Sequence, residues 1–203
     1  MTTTRFWWMR HAPVVDNGGR IYGGSEIDAD VSNSATFACL AETLPKPAVF
    51  LTSALSRTSQ TLAAVRAQGR MDIPESPLAD ARLNEQSLGD WHGQRINDIF
   101  PSGGPWPGFW MMPANNSAPN GESFTDLCAR VVPAIHEIQA AHAGQDVVIA
   151  AHGGSIRAAL RLALDITPEA ALAFSIDNCS ITRIDHLSGP ENRRAWRVGR
   201  TNS

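Results

Sequence analysis

The chain has 203 residues, 43% of them hydrophobic, and a formal net charge of −3. That length fits one globular domain spanning 1–203, and the slightly acidic balance leaves no basic face for nucleic acid or anionic lipid. No apolar run approaches the roughly 18 residues needed to cross a bilayer, and Met1-Thr2-Thr3-Thr4-Arg5 leads into the first apolar segment without a signal-peptide pattern.

Three cysteines, Cys39, Cys128 and Cys179, are an odd number without Cys-x-x-Cys spacing. Reduced thiols in a cytoplasm are the simplest expectation. In chain order, Phe6-Trp7-Trp8-Met9 reads as a buried strand that ends on Arg10-His11. Packing gives no reason to end a core strand on two cationic or protonatable residues. In open α/β sheets, however, ligands bind beyond the carboxyl ends of parallel strands. A Gly-rich loop follows from Asp16 to Ser25, then a helix from about Asn33 to Leu44, stopped by Pro45 and Pro47. Ala48–Thr52 reads as a second strand, followed by a polar turn and a helix from about Arg57 to Gln68.

The stretch 101–119 differs from its surroundings. Gly and Pro interrupt it, yet it carries Trp106, Phe109, Trp110, Met111 and Met112. A loop of this length in a compact domain is usually functional or disordered, and its apolar content argues against disorder. It reads equally well as a substrate lid and as a core plug. Glu122 to His142 has helical spacing, with Pro133 expected to kink it. Val147–Ala151 reads as a third strand, ending on His152-Gly153-Gly154 and feeding a one-faced helix to Leu164. Ser180–Asp185 and Ala195–Val198 read as late edge strands. The alternation predicts a layered α/β fold. Three strand ends then deliver Arg10, His11, Arg57 and His152 to one edge of one sheet, a pocket for a doubly charged anion with a nucleophile inside it.

Arg10-His11-Ala12 resembles the Arg-His-Gly signature of the histidine phosphatase superfamily, the phosphoglycerate mutase-like family. Ser53-Ala54-Leu55-Ser56-Arg57-Thr58-Ser59-Gln60-Thr61 resembles its Ser-x-Leu-x-Arg-x-x-Gln-Thr segment. Leu83-Asn84-Glu85, with Gly89-Asp90-Trp91-His92-Gly93, resembles its acid loop. Gly121-Glu122-Ser123 with Arg130, and His152-Gly153-Gly154 with Arg157, resemble two further segments. The matches run in order from residue 5 to about residue 184. The resemblance implies a three-layer α/β/α sandwich on a mainly parallel, mixed sheet of six strands with one antiparallel edge strand.

It also implies His11 as the phosphohistidine site, with Arg10, Arg57, His152 and Asn17 at the phosphoryl oxygens. Phosphoryl transfer needs a nucleophile, charge compensation for the equatorial oxygens and a proton for the leaving group. Arginine suits the second task because its planar fork binds two oxygens and stays charged. The free N–H groups of the helix beginning after His152 add partial positive charge. Glu85 is the candidate general acid, with Asp80, Asp90 and Glu122 as rivals. Arg82 and Trp91 read as supports of its loop. No metal or cofactor is implied, because the arginines and histidines carry the positive charge.

Pro13 and Val14 depart from the Glu and Thr common in the family, and Tyr22-Gly23 stands where Gln-Gly is common. Asn17 matches a frequent asparagine, and Arg20 matches a frequent arginine displaced by one position. Val14 lacks a hydroxyl for phosphate, so these departures bear on substrate identity. Tyr22, Trp106, Phe109 and Trp110 are the candidate specificity residues. The expected activity is metal-independent hydrolysis of a small phosphorylated metabolite, α-ribazole-5'-phosphate being one candidate, by a protein that acts alone or as a homodimer. The alternatives are a phosphoglycerate mutase and a non-catalytic phospho-ligand binding module. A metallohydrolase is disfavoured, because the histidines lack metal-type spacing such as His-x-x-x-His.

Overall fold

The computed structural model describes residues 2–99, 114–189 and 196–203. Trp106, Phe109, Trp110, Met111 and Met112 therefore lie outside the described residues, and the lid reading of 101–119 with them. Of that stretch, Ala114 and Ala118 are buried.

Six strands form one sheet in the order β3-β2-β4-β1-β5-β6. They are β1 Thr2–Arg10, β2 Val49–Thr52, β3 Leu78–Ala79, β4 Asp146–Ala151, β5 Ile181–Ser188 and β6 Trp196–Arg200. β1, β2, β3 and β4 run parallel. β5 is antiparallel to β1, and β6 is antiparallel to β5. The expectation of an antiparallel edge strand is thus corrected. The reversed strand is β5, one place in from the edge, and the edge strand β6 runs with the parallel set. β6 is antiparallel to β5, which is itself antiparallel to β1, so β6 points the way β1 does.

The strand pattern explains the layers. Side chains alternate across a strand, so Phe6, Trp8, Val147, Ile149 and Ala151 point to one face. There they meet Phe124, Leu127, Val131, Ile135, Ile156 and Leu160. Met9, Phe50, Val148 and Ala150 point to the other face, against Phe37, Leu40, Leu62 and Val65. The first group of partners belongs to helices Phe124–Ala141 and Gly153–Leu164. The second belongs to Ser34–Thr43 and Ser56–Arg66. Both faces of the central strands are buried, as parallel sheets require.

Asn33 caps the first helix through its side chain. Ser123 and Asp126 form a reciprocal capping box on the helix Phe124–Ala141. That helix runs through Pro133 over 18 residues, so the proline does not end it. Among the described residues, no helix is long and apolar enough to cross a membrane.

Candidate active site

Because β1, β2 and β4 are parallel, their carboxyl ends meet. Arg10 pairs with Ala151 in register, and the His11 N–H donates to the Ala151 carbonyl at 3.0 Å. The Ser53 N–H donates to the Ala150 carbonyl at 3.1 Å. His11, Ser53 and His152 are thereby placed at neighbouring strand ends by backbone bonds alone. Arg57 follows in the first turn of helix Ser56–Arg66, and His152 is the N-cap of helix Gly153–Leu164.

His11 is buried. Its Nδ1 lies 2.6 Å from the Ala12 carbonyl. A carbonyl only accepts, so Nδ1 carries the proton and Nε2 keeps its lone pair. The ring is kept neutral as well. Burial, then the charges of Arg57 and Arg10, push its pKa down to about 3, against a smaller opposing contribution from the Ala12 bond. Its loop is tied on both sides. The Ala12 N–H donates to Thr61 Oγ1 at 2.9 Å, and Asn178 Nδ2 donates to the His11 carbonyl at 2.9 Å.

The ring of His152 lies 5.1 Å from that of His11, centroid to centroid. Its Nε2 is 2.8 Å from Ser53 Oγ. Burial first, then the neighbouring charges of His11, Arg57 and Arg10, hold its pKa well below the ordinary histidine value. Arg57 is fully buried and spends its fork on the Ser25 and Gly23 carbonyls, at 2.8 and 2.7 Å. Tyr22 lies over its guanidinium at 5.4 Å. Arg10 Nη1 donates to the Ile176 carbonyl.

Among the described residues, three buried nitrogens here have no hydrogen-bond partner: Arg10 Nε, Arg57 Nε and His152 Nδ1. Buried polar groups are almost always satisfied. Three orphans on three residues that converge from three strand ends therefore mark a place for an anionic ligand.

Glu85 faces this cluster from the loop after β3. Its carboxylate accepts from the Gln86 N–H at 3.0 Å and from the Gly154 N–H at 3.1 and 3.3 Å. A Cβ on Gly154 would collide with Glu85 Oε1, so only glycine allows that approach. The rival carboxylates are engaged elsewhere. Asp80 pairs with Arg82, Asp90 accepts from Asn120, and Glu122 pairs with Arg130. Arg82 also reaches Glu137 at 2.8 Å.

A cavity of about 180 Å³ opens from Arg10 and Glu85 and is lined further by Arg20, Ile21, Tyr22, Gly23, Gln86, Leu88 and Ile96. Asn17 is not in that lining. Its Nδ2 donates to the Arg20 carbonyl at 2.6 Å and its Oδ1 accepts from the Gly19 N–H at 3.1 Å. Expected at the phosphate, its amide is instead used on the turn that presents Arg20. Two contributors stand in the quoted motifs but were given no role there. Ser53 holds His152, and a polar residue at a buried strand end was the available signal. Arg157 is the other. Burial lowers its pKa while Glu85 opposes the shift, so it sits within the field of the acid.

A protein-family model described as the histidine phosphatase superfamily, branch 1, matches residues 6–198. A glucosyl-3-phosphoglycerate phosphatase from Mycolicibacterium vanbaalenii is 33% identical over 189 residues, covering 88% of this chain and 78% of that protein. A 2,3-bisphosphoglycerate-dependent phosphoglycerate mutase from Beijerinckia indica is 31% identical over 157 residues, covering 74% of this chain and 75% of its own. Among solved structures, the native mycobacterial glucosyl-3-phosphoglycerate phosphatase superposes with a TM-score of 0.83 at 25% identity, covering 99% of each chain.

Proposed function

This chain belongs to the histidine phosphatase superfamily, branch 1, and from that premise we propose that it hydrolyses small phosphomonoesters, without a metal, through a phosphohistidine on His11. The observation that carries the reading is the state of His11. Its Nδ1–H is fixed on the Ala12 carbonyl, its ring is neutral, and its free Nε2 stands among buried cations.

In the first step Nε2 attacks phosphorus and the P–O bond to the leaving group breaks. The departing oxygen takes a proton from Glu85. In the second step the Glu85 carboxylate takes a proton from water, whose oxygen attacks the phosphohistidine and releases inorganic phosphate. The pair of steps consumes one water and returns Glu85 to its protonated form. Arg10, Arg57 and His152 receive the phosphoryl oxygens through the nitrogens that now lack partners. The N–H groups at the start of helix Gly153–Leu164 add to that field.

The lining of Ile21, Tyr22, Leu88 and Ile96 suits an organic leaving group. That favours hydrolysis over a mutase, which must clamp a second phosphate. Arg20 is the one cation at that end among the described lining residues. α-Ribazole-5'-phosphate remains a substrate of the right kind. So does glucosyl-3-phosphoglycerate, by the name of the 33%-identical relative.

The test is rapid quench with a radiolabelled aryl phosphate. Wild type should trap acid-labile phosphate on protein and turn over unchanged in EDTA, while His11→Ala traps none and loses turnover. Substantial hydrolysis by folded His11→Ala, or loss of activity in EDTA restored by a divalent metal, would overturn the mechanism.

A further inference from the structure

The segment 82–87 carries Glu85 and belongs to no strand, so backbone groups beyond the short helical turn Ala81–Leu83 must find partners elsewhere. One ion pair from another part of the chain serves three of its carbonyls and one N–H. Arg130, on helix Phe124–Ala141, donates from Nη1 to the Arg82 and Asn84 carbonyls at 2.8 and 2.9 Å. Its Nη2 donates to the Glu85 carbonyl at 3.2 Å. The same guanidinium grips Glu122, Nε to Oε2 at 3.0 Å and Nη2 to Oε1 at 2.5 Å. Glu122 completes the clamp from the other side. Its Oε1 accepts from the Ser87 N–H at 2.9 Å, and its backbone carbonyl accepts from Gln86 Nε2 at 2.8 Å.

The acid loop is thus held at its carbonyls by a cation and at an N–H by that cation's own counter-ion. Three carbonyls and a carboxylate converge on one planar group, an arrangement that an ammonium with three donors cannot reproduce. From the backbone position this clamp holds, the Glu85 carboxylate accepts from the Gly154 N–H.

We propose that Arg130, with Glu122, is a positioning residue for the general acid: it sets where the Glu85 carboxylate stands relative to the departing oxygen. This rests on the phosphatase reading above. The hydrogen bonds of Arg130 go to the acid loop and to Glu122, so it acts on the acid through the backbone that carries Glu85. Its loss should follow the pattern of a lost proton donor, which matters in proportion to the basicity of the leaving oxygen.

The experiment compares wild type, Arg130→Lys and Glu122→Gln on glycerol 2-phosphate, a poor leaving group, and on 2,4-dinitrophenyl phosphate, whose leaving group needs no proton. Thermal melts first establish that each variant is folded at the assay temperature. The expected result is a fall in kcat of about tenfold or more on the alkyl ester, and a change several times smaller on the aryl ester. Added ethylguanidinium should restore part of the alkyl activity of Arg130→Ala, since the fork rather than the charge does the positioning. If Arg130→Lys does not fold, Glu122→Gln and the rescue carry the test alone. Equal losses on both esters in folded variants, without rescue, would reduce the clamp to a stability element. A wild type that hydrolyses neither ester would instead sink the phosphatase reading, a separate outcome.

Discussion

At one end stand His11, Arg57 and His152, buried outside the cavity lining to which Arg10 and Glu85 belong, with 1%, 0% and 0% of their surfaces exposed. They lie at or just after the ends of β1, β2 and β4, held by backbone carbonyls and by Ser53. At the other end stand Arg20, Ile21 and Tyr22 from a loop, with Leu88 and Ile96 from the segments that pack on it. The first end inherits its geometry from the sheet, and its side chains are buried. The second takes its geometry from turns such as the one Asn17 closes. A reaction common to a family fits the first, where displacement is expensive. Substrate choice fits the second, where loops change at little cost to the core.

If that division is correct, a very small change at the buried end should damage chemistry and leave the fold nearly intact. Gly154→Ala is the sharpest instance. The new methyl would collide with Glu85 Oε1 and approach Leu127 Cδ1 to 2.9 Å. The carboxylate is the flexible tip of a side chain, so it moves aside cheaply, but it then leaves its N–H partners. We expect kcat on an alkyl phosphate to drop about 100-fold, or roughly 2.7 kcal/mol of transition-state stabilisation. The melting temperature should shift by only a few degrees. Near-normal turnover with a large loss of stability would show that the glycine serves packing and not the acid.

The same division governs the response to acid. The folded pKa of His11 is lowered to about 3, while the unfolded chain titrates near 6.5. Between those values the unfolded state binds a proton that the folded state refuses, so stability falls as pH drops below about 6.5. His152 is shifted in the same direction for the same reason. Once the pH is well under 6.5, His11 alone should remove about 1.4 kcal/mol per pH unit. That is a drop of roughly 2–4 °C per kcal/mol in a domain of this size. Melting curves from pH 7.5 to 5.0 should therefore fall less steeply for His11→Gln than for wild type. Parallel curves would mean that His11 is not held neutral by its surroundings.

How much of this could be read before the structure depended on distance along the chain. Apolar runs located β1, β2 and β4, and the polar residues that end them pointed to one sheet edge. Periodicity placed the four long helices within a few residues. β3 was invisible, because Leu78 and Ala79 are both exposed and too short to show alternation. The Arg130–Glu122 clamp was invisible for another reason. It joins a helix to a loop 45 to 48 residues away, so the motif that contains Glu122 and Arg130 does not show what they hold. An asparagine near a phosphate motif and one closing a turn look alike in a sequence, and the amide of Asn17 does close a turn.

The smallest effect belongs to the open end, and it decides whether that end recognises a leaving group at all. Arg20 Nη1 donates to the Gly93 carbonyl at 2.6 Å, and among the described residues no carboxylate pairs with it. Arg95 faces it across an isolated antiparallel bridge. A cation beside the apolar side chains of Ile21, Leu88 and Ile96 should favour a leaving group that carries an anion of its own. Because Arg20 is solvent-exposed, water and salt screen that attraction, and a gain of up to about 1 kcal/mol is the scale for such a pair. The informative quantity is therefore a ratio, kcat/KM for 4-carboxyphenyl phosphate over kcat/KM for phenyl phosphate, which have similar leaving groups. In Arg20→Gln that ratio should fall about two- to fivefold, and the difference from wild type should fade in high salt as screening shortens the reach of the charge. A ratio that Arg20→Gln leaves unchanged would remove Arg20 from substrate choice. A large, equal loss on both esters would go further: it would show that the loop end takes part in the chemistry, and that the cavity is not divided as its burial suggests.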